Sequence, residues 1–128
     1  MKNDDTVLVL TTGGTIDKQY FDALSEFQIA DTAIRKLLVL ARVTHSYRVE
    51  ELLRKDSLDL VDEDRERIVE YVRQAPEAKV VVTHGTDTMT LTAPALAKIP
   101  RKTIVLTGAL TPARFTESDA SFNLGMAF

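Results

Sequence analysis

Apolar residues fall along the chain in short blocks that change period. Residues 6–10, Thr-Val-Leu-Val-Leu, form a continuous run rich in β-branched side chains, closed by Thr11-Thr12-Gly13-Gly14-Thr15. An apolar run without alternation, ended by glycines, predicts a strand buried on both faces and hence a parallel sheet. Over 31–41 the spacing turns helical through Ile34, Leu37, Leu38 and Ala41, with Asp31 as the N-cap. Residues 43–49 alternate loosely and predict a second strand. Residues 62–75 set Ile68, Val69 and Val72 on one stripe, with Asp62, Glu63 and Asp64 in the first turn and Pro76 beyond the end. A third strand is predicted at 79–83 and a fourth at 102–106. Residues 88–97 read as a helix that either starts near Ala93 or kinks at Pro94. A last helix is predicted from Ser118 to the end, capped by Ser118 or Asp119. Strands alternating with helices predict an α/β fold: a doubly wound, mainly parallel sheet with helices on both faces. The 128 residues are read as a single domain, with no internal repeat or linker.

Composition narrows the classes. The chain is 45% hydrophobic and 27% charged, as soluble globular domains are, which excludes a disordered chain. The net charge of −3 leaves no basic surplus for phosphates, so no nucleic-acid partner is expected. No apolar run approaches the ~20 residues of a membrane span, so no membrane partner is expected either. Cysteine is absent, which removes disulfides and thiolate metal sites and agrees with the expected cytoplasmic setting. His45 and His84 are the only histidines and lie far apart in sequence; no metal and no other cofactor is expected.

Every polar cluster of interest follows a strand. In open α/β sheets ligands bind outside the carboxyl ends of the strands. Thr15 stands at the end of a tight glycine turn, where its hydroxyl could act as a nucleophile or the backbone could form an anion nest. Neither a phosphate-binding loop nor a dinucleotide fingerprint is present. His84-Gly85-Thr86-Asp87-Thr88 sets a hydroxyl beside a carboxylate. Asp87 could hold an ammonium group and Thr86 could position water or attack a carbonyl, once a base takes its proton. Either could instead cap the next helix. His84 reads as structural. Asp56-Ser57-Leu58-Asp59 and residues 107–111 complete four loops that one cleft could gather.

Thr11-Thr12-Gly13-Gly14-Thr15-Ile16 resembles the first signature of the bacterial-type L-asparaginase family, and His84-Gly85-Thr86-Asp87-Thr88-Met89 its second. Residues 102–112 resemble the strand and loop that follow, and Phe122-Asn123-Leu124 the next helix. The resemblance implies an amidohydrolase that releases aspartate and ammonia from L-asparagine, and L-glutamine as a second substrate. It places the nucleophile of an acyl-enzyme mechanism on Thr15 and an assisting tyrosine on Tyr20. Thr86 and Asp87 take catalytic and substrate-binding roles, with Asp87 on the α-amino group. Ser57 contacts the α-carboxylate, and Gly85 lends backbone to the substrate site. A homo-oligomer is also implied, which Phe115 and Phe122 could help to build.

Three departures stand against the family pattern. Leu58 replaces the glutamine usual after the serine, the segment from Thr15 to Tyr20 is short, and no lysine sits where the catalytic one is found. That lysine is expected one strand beyond Phe128, where the apolar last helix is still in mid-course. The resemblance thus implies an asparaginase N-terminal-type domain over 1–128. Alternatives are an impaired amino-acid-binding module and an ammonia-donating subunit of a larger amidotransferase. A flavodoxin-type phosphoacceptor is disfavoured, because Thr11-Thr12-Gly13 stands where its acidic pair would be.

Overall fold

In the computed structural model, residues 5–21, 26–29 and 32–128 are described. Four parallel strands form the main sheet: β1 (Val7–Gly13), β4 (Tyr47–Lys55), β5 (Lys79–Thr83) and β6 (Thr103–Thr107), in the order β4-β1-β5-β6. Strands β2 (Lys18–Phe21) and β3 (Glu26–Ile29) pair separately as an antiparallel hairpin, with Tyr20 opposite Phe27. The helices are α1 (Ile34–Leu40), α2 (Asp62–Gln74), α3 (Met89–Leu96) and α4 (Ala120–Ala127).

The two faces of the sheet carry separate apolar clusters. Leu8, Leu10, Val80 and Val82 face Ile68 and Val72 of α2 and Leu96 of α3. The alternate residues Val7, Val9 and Val81 face Ile34 and Leu38 of α1 and Ala120 and Leu124 of α4. Both sets lie on the central strands, which explains their unbroken apolar sequence. Burial of each such valine, leucine or isoleucine contributes roughly 1.5–3 kcal/mol against the chain entropy. The doubly wound architecture predicted from the sequence is the one observed.

Several local expectations change. Strand β1 continues through Thr11, Thr12 and Gly13, because neighbours on both sides pair with its polar end. The second strand lies at 47–55, later than 43–49. Its charged residues mask its periodicity, and as one of the two edge strands of this sheet it leaves them at or near solvent. Residues 43–46 are instead the exit from α1, where Arg42 takes φ 55° and Val43 N–H donates to the Leu38 carbonyl at 3.2 Å. Helix α3 starts at Met89 and runs past Pro94 without restarting near Ala93. The β2–β3 hairpin has no counterpart in the sequence reading, since four-residue strands carry too little pattern. Asp31 lies outside the described residues.

At the start of α4, Asp119 occupies the capping position but its carboxylate accepts from Leu110 N–H and Thr111 N–H instead. Ser118 Oγ takes the Ala120 N–H at 2.9 Å. Asn123 donates to the Gly108 carbonyl, also at 2.9 Å, so α4 is tied to the loop after β6.

Candidate active site

The chain passes from β1 to β4 on one side and returns to β5 on the other. The carboxyl ends of β1 and β5 therefore frame a topological switch point, where open α/β sheets place their ligands. Three loops meet there. Gly13 and Gly14 have φ 100° and 85°, conformations that side chains rarely adopt. Gly14 N–H donates to the Lys55 carbonyl at 2.9 Å, and a short 3-10 turn, Thr15–Asp17, follows. A Cβ on Gly14 would lie 2.5 Å from the Gly85 nitrogen, and one on Gly85 would lie 2.5 Å from Ser57 Oγ. The signature turns and the serine loop are thus in direct contact, packed so closely that two of them must be glycine.

Ser57 reaches this position because β4 slips register beside the glycine turn: Thr11 opposes Glu51, but Gly13 opposes Lys55. The slip carries Asp56 and Ser57 over the end of β1. Asp56 accepts from Leu58 N–H and pairs with Lys18 Nζ at 2.8 Å, and the Lys18 ammonium holds its carboxyl below the usual range. Ser57 is fully buried. Its Oγ accepts from Asp87 N–H at 3.1 Å and lies 3.5 Å from Asp87 Oδ2. Its carbonyl accepts from Thr88 Oγ1 at 2.9 Å.

The second turn is fixed from below by His84, which is fully buried. Nδ1 lies 2.7 Å from the Gly85 carbonyl, which can only accept, so Nδ1 carries the proton. Nε2 lies 2.8 Å from Thr92 Oγ1. Burial lowers the His84 pKa, which keeps the ring neutral. Both nitrogens are occupied inside the protein, so His84 is a structural post.

Thr86 and Asp87 are exposed above it. Thr88 holds the capping position of α3, and that position makes no side-chain cap. Neither Thr86 nor Asp87 holds the capping position, and both are exposed, with one Asp87 oxygen turned to the buried Ser57 hydroxyl. Thr15 is half-buried at the head of its turn. Tyr20 lies in β2, five residues on, but its side chain is outside the described residues. Leu58 is 73% exposed at the rim. Phe122 is 71% exposed and so does not cover the domain's own core. Beneath the switch point Thr11 and Thr83, register partners, bury hydroxyls with no hydrogen-bond partner among the described residues, while Thr12 Oγ1 donates to the Thr83 carbonyl at 2.7 Å. No cluster of His, Cys, Asp and Glu able to hold a metal occurs among the described residues.

The sequence reading missed the supporting shell of Asp17, Lys18 and Arg114, and named Asp56 only as part of the serine loop. The charged pair Asp17-Lys18 directly after the buried Ile16 was the available signal.

Known proteins share this fold. The family model described as asparaginase, N-terminal, matches residues 6–128. An L-asparaginase of Thermococcus kodakarensis is 34% identical over 131 residues, covering 94% of this chain and 39% of that protein. The solved thermostable L-asparaginase of the same organism superposes with a TM-score of 0.81 at 32% identity, over 95% of this chain and 39% of its own. L-asparaginase I from Vibrio cholerae gives 0.79 at 25% identity, over 95% and 39%. A probable cytoplasmic L-asparaginase from Campylobacter jejuni gives 0.72 at 28% identity, over 93% and 37%. The chain spans about two fifths of the length of these relatives. No helix among the described residues is long and apolar enough to cross a membrane. With both signature turns inside the matched region and packed against each other, the chain belongs to the asparaginase family, over the part described as N-terminal.

Proposed function

We propose that the site hydrolyses the side-chain amide of L-asparagine, with L-glutamine as a second substrate. The observation that carries this reading is the contact of Gly14, Gly85 and Ser57, which gathers a hydroxyl turn, a hydroxyl–carboxylate turn and a buried serine at one strand edge. Amide hydrolysis of an amino acid needs a nucleophile, a proton relay and anchors for both ends of the substrate, and these loops supply candidates for each. Asp87 takes the α-ammonium, while Ser57 and the Gly85 backbone hold the α-carboxylate. Thr15 Oγ attacks the amide carbon as its proton passes toward Tyr20 and Thr86. The C–N bond breaks, the nitrogen gains a proton and leaves as ammonia, and water then cleaves the Thr15 ester to release aspartate. Backbone N–H groups of the glycine turns stabilise the oxyanion, a contribution of about 3–4 kcal/mol in comparable sites.

The domain is read as spanning 1–128, in a homo-oligomeric, cytoplasmic enzyme. The test is ammonia release from L-asparagine, with Thr15→Ala as control. Turnover that needs Thr15 supports the nucleophile, and undiminished turnover in the variant removes it. A second reading, amino-acid binding without turnover, draws on Leu58 at the rim and on Lys18 and Lys55, whose amines are held by Asp56 and Asp64 at 2.8 Å. Aspartate binding with no ammonia release at any pH would support it.

A further inference from the structure

The structure assigns Asp17 as a positioning residue: its carboxylate ties the turn that carries Thr15 to the entry of α1, across the base of the β2–β3 hairpin. The role rests on the proposed reading of Thr15. Asp17 ends the 3-10 turn headed by Thr15, and the chain leaves it directly into β2. Thr32 and Ala33 lie where the chain comes back into α1. Asp17 Oδ1 accepts from Ala33 N–H at 2.8 Å and from Thr32 Oγ1 at 3.1 Å. Thr32 Oγ1 in turn accepts from Ile34 N–H at 3.1 Å, so the carboxylate organises the first turn of α1 through two routes. One oxygen thus joins segments 15 and 16 residues apart.

The backbone of Asp17 is held from the opposite side. Arg114 Nη1, from the loop after β6, donates to its carbonyl at 2.9 Å, and its N–H donates to the Gly14 carbonyl at 3.1 Å. The residue whose carboxylate holds Ala33 and Thr32 is thus also bonded, through its own N–H, to the Gly14–Thr15 peptide. Asp17 is only 2% exposed. Burying a carboxylate costs free energy, and its position beside the nucleophile turn gives that cost a use. Among the described residues, the charged groups facing it are Glu51 of β4, which accepts from Thr32 N–H at 3.3 Å and pairs with Arg54, and Arg114. Burial outweighs the hydrogen bonds and Arg114, and raises the Asp17 pKa to about 6. The tie is therefore charge-assisted above that pH and weaker below it.

The experiment is an amide NMR titration of the full chain from about pH 4 to pH 8, on wild type and Asp17→Asn. The amides of Ala33, Thr15 and Ile16 are expected to shift together with one midpoint near pH 6, and Asp17→Asn to abolish that shared step. Movement of Ala33 without Thr15, or no step near that midpoint, overturns the proposal. Asparagine turnover supplies a second readout. Asp17→Asn, which keeps an acceptor oxygen, is expected to lower kcat about tenfold, leave KM within about twofold and flatten the acid limb of the pH profile. An unchanged profile in that variant also overturns it. If wild type releases no ammonia, the reading of the site as an amidohydrolase fails, while the NMR titration still decides whether Asp17 holds the Thr15 turn.

Discussion

The two glycine turns do the same job by different means. Each ends a central strand and presents polar groups at the same edge of the sheet. The second is supported by a neutral, fully buried network: His84 between the Gly85 carbonyl and the Thr92 hydroxyl. The first is supported by charge, through Asp17 with Ala33 and Thr32, the Arg114 bond to its carbonyl, and the Lys18–Asp56 pair that joins β2 to the serine loop. Neutral support holds while the His84 ring stays uncharged. Charged support is strongest while Asp17 stays ionised. The two turns are thus held by groups with opposite dependence on pH.

Substitution at the contact between the turns should give the largest effect. Gly14→Ala forces a side chain into a glycine-only conformation and against the Gly85 backbone. A loss of about 3 kcal/mol or more is expected from urea unfolding. Gly125→Ala is the control, because a Cβ there meets nothing within 4 Å, and it should stabilise the helix by about 0.5–1 kcal/mol.

The two supports should respond to pH in opposite directions. The Asp17 pKa is raised from 3.8 to about 6 in the fold, so the folded state binds more protons between these values. The fold therefore favours the protonated form: this stability is fully present below the unfolded pKa and is lost to the burial cost of the charge as pH rises through about 6, although the ionised carboxylate is the stronger acceptor. The span is up to about 3 kcal/mol, and Asp17→Asn should remove this slope from stability–pH curves. His84 is shifted downward, so its contribution is present above its unfolded value of 6.5 and is lost as pH falls below that. His84→Leu should remove this second slope and leave the Gly85 carbonyl and Thr92 hydroxyl unpaired, for a loss of about 2 kcal/mol. The smallest expected effect is that of the Lys18–Asp56 pair, whose side chains are about a quarter exposed. Lys18→Met should cost less than about 1 kcal/mol by urea unfolding.

The central strands were legible because both of their faces are buried, which leaves no polar position to interrupt Val7–Leu10 or Val80–Val82. Strand β4 was displaced in the reading because an outermost strand can carry Arg48, Glu50 and Arg54 toward solvent. The candidate site was legible as a set of residue types, since each stood directly after a strand. Its contacts were not. That Ser57 sits on Gly85, or that Asp17 reaches Ala33, depends on a register slip and a hairpin that local pattern does not encode. Charged groups in supporting roles are the hardest to read, because their partners lie far away in sequence, as Asp56 does from Lys18.

The most direct measurement is an amide NMR titration of the chain with L-aspartate, the proposed product. Shifts concentrated at Thr15, Ser57, Thr86 and Asp87 are the predicted result. Saturation without change at these four positions, or shifts confined to the groove between α2 and α3 around Val69, Leu91 and Lys98, would contradict a shared amino-acid pocket at the glycine turns.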